Sequence, residues 1–191
     1  MLNQRNIGHF KKLTNHKENT EGLKEAYKNR DTYLYLKDDT LYIGGTQNIR
    51  DVWDDVTKVP FWGDVRKSQR YQDANELLNK NPQVNKLVSH SLGGSVSLEL
   101  KKQYPERQYD VTTYGAPVLS FSPGNKRYRH TGFLMTDPIS MFDFGATTYP
   151  ISSNNPLRLH GVDPADYYDT VDVQIPYNVN RTSSNNQYRI A

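Results

Sequence analysis

The sequence of 191 residues has no cysteine, no long apolar run and little excess of either charge. Without cysteine, the chain cannot form disulfides, Cys-ligated zinc or iron–sulfur sites, or a thiol nucleophile. No window approaches the roughly 18 consecutive apolar residues of a transmembrane helix, so we expect the chain not to cross a bilayer. The first residues, MLNQRNIGHFKKL, also lack the apolar segment of a conventional signal peptide.

The net charge of +3 is unevenly distributed along the chain. Residues 1–30 hold seven basic and three acidic side chains, whereas the rest of the chain holds 17 and 18. The body therefore lacks the basic stripe that binds a phosphate backbone, and we expect no nucleic-acid partner. We interpret residues 1–30 as a polar, basic arm. It presents either a solvated helix face or a contact with an anionic membrane surface, where each Lys or Arg contributes about 1 kcal/mol.

Strand-like runs alternate with helical patterns over residues 31–175, which predicts one α/β domain with a mainly parallel sheet. Thr32–Leu36 and Leu41–Ile43 flank the turn-like sequence Lys37-Asp38-Asp39-Thr40 and predict an antiparallel hairpin at one side of this sheet. The tail, residues 176–191, is polar. The other predicted elements are helices over 14–30, 48–60, 70–80, 92–104 and 163–169, and strands over 86–88, 109–114 and 126–133.

The most informative stretch is KLVSHSLGGSVSLEL, residues 86–100. It predicts a strand, a sharp turn carrying Ser91 and a helix, which is the context of a nucleophile elbow. Gly93 and Gly94 supply the small residues needed where strand and helix pass close together. The helix N-terminus favours negative charge nearby, and the backbone N–H of Leu92 would point at an oxyanion. Taken alone, the motif also fits an ordinary strand–helix turn that carries a serine.

The motif SHSLGG resembles the GHSLGG elbow of the class 3 lipases, the fungal triacylglycerol lipase-like branch of the α/β-hydrolases. Three more segments are similar to that family, in its chain order. Residues 41–60 resemble a strand ending in an RG(T/S) turn before a lid helix, residues 111–119 a strand ending in a G-x-P turn, and residues 128–140 the strand delivering the catalytic acid. Ser89 replaces a family glycine, and Gly44 stands where the family commonly has arginine. The resemblance implies a minimal α/β-hydrolase fold.

The resemblance also implies a catalytic triad and requires neither a cofactor nor a metal ion. Ser91 matches the nucleophile, which needs a base to take its proton. Asp137 matches the acid that orients this base, with Asp143 as the competing candidate. His160 is the only histidine that follows Asp137 in the chain, and the family order of serine, acid and histidine makes it the general base.

By the same resemblance, the backbone N–H of Thr46 would hold the oxyanion together with that of Leu92. Residues 48–60 would form a lid that covers the site in water and opens at a lipid surface. A helix packed permanently on the core is the other interpretation of this segment. The candidate apolar face of the lid consists of Ile49, Val52, Trp53 and Val56.

These observations together lead us to expect a serine hydrolase of lipid esters, of the lipase, phospholipase or esterase type, working through an acyl-Ser91 intermediate. The expected partners are a lipid or small ester substrate and, peripherally, a lipid surface. Two alternatives stay open. Ser89 and Gly44 would suit a lipase-like binding module without catalysis, whereas the small size and basic arm would suit a membrane-breaching lipase carried by a virus particle. We accordingly expect a soluble protein, located in the cytoplasm or in a virion.

Overall fold

The computed structural model describes residues 4–45, 65–117, 125–141 and 143–162. Several predictions of the sequence fall outside these ranges and stay predictions. They concern Thr46, the candidate lid residues Ile49, Val52, Trp53 and Val56, the helix over 163–169 and the tail over 176–191.

The described residues form a six-stranded sheet whose strands follow one another in chain order. The first two strands are antiparallel and all other neighbours are parallel, which confirms the predicted α/β class and its hairpin. The strands are β1 (Leu34–Lys37), β2 (Thr40–Ile43), β3 (Lys86–His90), β4 (Asp110–Tyr114), β5 (Lys126–Thr131) and β6 (Thr147–Pro150). The helices are α1 (Gln4–Lys28), α2 (Gln69–Lys80), α3 (Leu92–Gln103) and α4 (Pro156–Leu159), with short 3-10 turns at Val65–Lys67 and Pro105–Arg107.

Side-chain alternation along the strands divides the core between the two faces of the sheet. Leu41 and Ile43 of β2 belong to a cluster with α2 and α3, whereas Tyr42 between them belongs to a cluster with α1. Each fully buried Leu or Ile side chain contributes about 1.5–3 kcal/mol to the free energy of unfolding. The first cluster further contains Leu78, Leu87, Val96, Leu98, Leu100 and Val111, and the second contains Leu23, Ala26, Val88, Tyr114 and Tyr149.

The second half of α1 belongs to this packed body. His16, Thr20, Leu23 and Ala26 recur at helical spacing and are buried against the sheet. The solvated face expected for residues 1–30 is therefore limited, in residues 15–28, to the opposite side of the helix. That side carries the exposed Lys17, Glu18, Glu21, Lys24 and Lys28.

Strand β6 and helix α4 lie between residues 133 and 163, where the sequence predicted no helix or strand. Strand β6 is the edge strand beside β5, and Tyr149 is its single buried residue, so it shows no apolar alternation. Asn155 is the N-cap of helix α4: its side chain accepts a hydrogen bond from the N–H of Leu157, and Pro156 follows at N1. Asparagine at the N-cap before proline at N1 is a helix start signal that is present in the sequence. Within the described ranges, no helix has the length and apolar character of a transmembrane segment.

Candidate active site

The turn between β3 and α3 has the backbone geometry expected of a nucleophile elbow. Ser91 adopts φ 56° and ψ −134°, a left-handed conformation that is uncommon for residues other than glycine. Tight packing beneath the turn explains the two glycines that follow. A Cβ atom on Gly93 would collide with the carbonyl oxygen of Ile43, and one on Gly94 would collide with the side chain of Ala116.

The structure brings Ser91, His160 and Asp137 into one continuous hydrogen-bonded chain. His160 Nε2 lies 2.8 Å from Ser91 Oγ, and His160 Nδ1 lies 2.9 Å from Asp137 Oδ1. All three side chains are buried, with at most 3% exposure. With a proton on Nδ1, the ring donates to the carboxylate and accepts from the serine hydroxyl, so the imidazole is placed to take the proton of Ser91.

Asp137 is held by three hydrogen bonds in the connection that follows β5. Its Oδ1 accepts from His160 and from the backbone N–H of Ile139 at 3.0 Å, and its Oδ2 accepts from Ser140 Oγ at 2.6 Å. Burial is the largest single influence and opposes ionisation, but His160, Ser140 and Ile139 together outweigh it and hold the pKa of Asp137 below its usual range. The competing Asp143 pairs with Arg127 at 3.5 Å instead.

His160 reaches the site from the C-terminal end of α4. Its backbone N–H closes the helix on the carbonyl of Pro156, at 3.0 Å. The ring lies against Gly115, the residue after β4, which has φ 54°. A Cβ atom there would stand 2.9 Å from Asp137 Oδ2 and 3.2 Å from His160 Nδ1. Glycine is therefore favoured at position 115 for two reasons: its backbone is left-handed, and the side chains of Asp137 and His160 leave little room for a Cβ atom.

The turn after β2 lies directly against the serine. A Cβ atom on Gly45 would be 2.5 Å from Ser91 Cβ, so glycine is required for this approach. Arg70 of α2 donates to the carbonyl oxygen of Gly44 at 3.0 Å and stacks over the ring of Tyr33 at 4.5 Å. Arg70 thus braces the turn that contains Gly44.

Leu92 is the first residue of α3, where backbone N–H groups have no partner within the helix. This position agrees with its predicted part in an oxyanion hole. The second predicted donor, Thr46, follows Gly45 in the sequence and lies outside the described ranges.

The site also contains two residues to which the sequence analysis assigned no role, Tyr27 and His90. The His90 ring lies beside the His160 ring, with centroids 4.8 Å apart. Tyr27 Oη lies 2.5 Å from His90 Nδ1 and 2.9 Å from the backbone nitrogen of Gly45. Tyr27 and His90 are 63 residues apart in the chain, and no local sequence pattern marks their contact.

Exposed apolar side chains flank the elements that carry Asp137 and His160. Phe133 and Leu134 are 90% and 77% exposed in the connection between β5 and Asp137. Phe144 follows this connection and is 87% exposed, and Leu157 lies on α4, three residues before His160. Phe133, Leu134 and Leu157 thus lie on the segments that carry Asp137 and His160, whereas Phe144 precedes β6 and lies at the opposite, N-terminal end of the parallel strands.

Comparison of the chain with models of protein families, with curated proteins and with solved structures finds no match. The class of the protein is given by its fold alone, which is that of an α/β protein with a mainly parallel sheet. In the part of the chain that the structure describes, no three His, Asp or Glu side chains are grouped so as to hold a metal ion.

Proposed function

We propose that this protein is a serine hydrolase of carboxylic esters, and that it acts on lipid esters through an acyl-Ser91 intermediate. The observation that carries the proposal is the buried chain of hydrogen bonds from Ser91 through His160 to Asp137. The resemblance of SHSLGG and three further segments to class 3 lipases points to the same chemistry. These triad contacts favour catalysis over a binding module that has lost it.

The reaction begins when Ser91 Oγ attacks the ester carbonyl while His160 Nε2 takes the hydroxyl proton. The tetrahedral oxyanion lies at the N-terminus of α3, where the backbone N–H of Leu92 stabilises it. His160 then donates its proton to the leaving alcohol as the carbon–oxygen bond breaks, which leaves an acyl group on Ser91. Water attacks this ester, His160 takes the proton of the water and returns it to Ser91, and the carboxylic acid departs. Asp137, ionised and buried, stabilises the imidazolium in both steps.

Two features support a lipid as the substrate. Phe133, Leu134 and Leu157 are exposed apolar side chains on the segments that carry Asp137 and His160, and exposed apolar patches mark binding surfaces. The resemblance to lipases adds that the ester belongs to a glyceride or a phospholipid, presented at a lipid surface that the protein contacts peripherally.

The direct test compares the wild type with Ser91→Ala and with Ser152→Ala, which alters an exposed serine remote from the elbow in sequence. The wild type and Ser152→Ala should hydrolyse short p-nitrophenyl esters and react with a fluorophosphonate. Ser91→Ala should do neither, because the nucleophile is missing. Retained hydrolysis in Ser91→Ala would overturn the mechanism. Product analysis on a mixed panel of phospholipids and glycerides then identifies the lipid class.

A further inference from the structure

We propose, on the basis of the proposed function, that Tyr27 and His90 form a hydrogen-bonded bridge. The bridge fixes the turn after β2, at Gly45, relative to the general base His160. Both would be positioning residues for ester hydrolysis. Neither side chain enters the proton transfers between Ser91, His160 and Asp137.

The bridge consists of three hydrogen bonds in series. The backbone N–H of Gly45 donates to Tyr27 Oη at 2.9 Å, and the Tyr27 hydroxyl donates to His90 Nδ1 at 2.5 Å. His90 Nε2 then donates to the backbone carbonyl oxygen of His160 at 2.7 Å. A carbonyl oxygen only accepts, so the proton of the neutral His90 ring must be on Nε2, and Nδ1 is left as an acceptor. Each donor in the series therefore has one acceptor.

Burial keeps this bridge electrically neutral. It is the largest cause that lowers the pKa of His90 to about 3, followed by the neighbouring His160. Burial likewise raises the pKa of Tyr27 to about 12. Around neutral pH the bridge consequently keeps one direction of donation, and His90 does not compete with His160 for the proton of Ser91.

Both ends of the bridge lie against the nucleophile. Gly45 immediately precedes Thr46, the predicted oxyanion donor, and its backbone lies against Ser91. At the other end, the bridge holds the backbone of His160, whose ring contacts both Ser91 and Asp137. A displacement of about 1 Å in such a site costs up to about 100-fold in rate. A link between the two ends therefore acts on turnover even though it touches no reacting atom.

The kinetic test compares Tyr27→Phe with Tyr35→Phe, which removes a tyrosine hydroxyl from β1 on the hairpin. In Tyr27→Phe we expect kcat to fall about 10- to 100-fold with KM nearly unchanged, because the hydroxyl positions the site without touching substrate. Tyr35→Phe should keep the wild-type kcat. If Tyr27→Phe lowers the melting temperature but leaves kcat at the wild-type value, the bridge is only structural and the proposal is wrong.

Rescue at His90 adds a second kinetic arm. A glutamine side chain places a nitrogen donor near the position of His90 Nε2, whereas alanine places none. His90→Gln should therefore retain a larger kcat than His90→Ala. Equal values of kcat in the two variants would contradict a role for the hydrogen bond to the His160 carbonyl.

Nitrogen NMR of the labelled wild type tests the bridge without using activity. The His90 ring should stay neutral with its proton on Nε2 from about pH 5 to pH 9. A proton on Nδ1, or titration near pH 6.5, would overturn the bridge whatever the enzyme does. Conversely, a wild type that neither hydrolyses esters nor reacts with a fluorophosphonate would refute the proposed function, while the spectrum would still show whether the bridge exists.

Discussion

The burial of neutral His90 should make the stability of the whole fold depend on pH. Its pKa is about 3 in the folded protein against 6.5 for an ordinary histidine, so between these values the unfolded chain binds a proton that the folded chain does not. The free energy of unfolding therefore falls as pH drops below about 6.5 and levels off below about 3. Between about pH 7.5 and pH 5 the loss amounts to about 2 kcal/mol.

This contribution can be isolated by comparing the wild type with His90→Gln, because glutamine does not titrate. Urea unfolding at about pH 7.5 and pH 5 should show the wild type losing about 2 kcal/mol more than the variant. For a chain of this length, that difference corresponds to about 4–8 °C in melting temperature. The groups that face His90, namely Tyr27, His130, Asp137 and His160, are present in both proteins and so largely cancel.

Asp137 acts in a different pH window. Its lowered pKa means that its contribution is present above the ordinary carboxyl pKa of about 4 and is lost as pH falls below that value. It therefore does not disturb the comparison at pH 5. If the wild type and His90→Gln lose equal stability between the two pH values, His90 is not held neutral by burial, and the reasoning about its environment is wrong.

Two further substitutions probe the triad and the turn beneath it. Asp137→Asn should lower kcat for p-nitrophenyl esters by about 10⁴-fold, because the amide favours the wrong tautomer of His160, with thermal melting as the check that the variant is folded. A loss of less than tenfold would exclude Asp137 as the orienting acid. Gly93→Ala should destabilise the fold by about 1–3 kcal/mol in urea titrations, because the methyl group meets the backbone carbonyl of Ile43. An unchanged urea midpoint would contradict the packing described for the elbow.

Local patterns were sufficient for the elements that are locally encoded. The two-residue loop at Asp38-Asp39 connects β1 and β2 as the turn sequence predicts, and α2 (Gln69–Lys80) matches the helix predicted over 70–80 within one residue. The elbow around Ser91 was visible because strand, turn and glycines are contiguous in sequence. Asp137 and His160 were predicted from the resemblance to a known family, and the structure places His160 against Ser91 and Asp137 against His160.

Features that depend on contacts between distant segments were not predictable in this way. The buried face of α1 was not predictable because it contains few apolar residues, Leu23 and Ala26, among many charged ones. Arg70 lies 26 residues from Gly44, and Tyr27 lies 63 residues from His90, so neither contact leaves a local pattern. Strand β6 was not predicted because an edge strand with one buried residue shows no alternation of apolar residues.

At Ser91 the backbone conformation favours glycine, whereas the proposed chemistry requires a hydroxyl group. A residue other than glycine in such a conformation costs about 1–3 kcal/mol, and glycine would relieve this cost while removing the hydroxyl. Stability alone would thus favour glycine at position 91, whereas the proposed mechanism requires the serine hydroxyl. In an engineering programme that screens for thermal tolerance without an activity assay, position 91 is where the hydroxyl would be lost first.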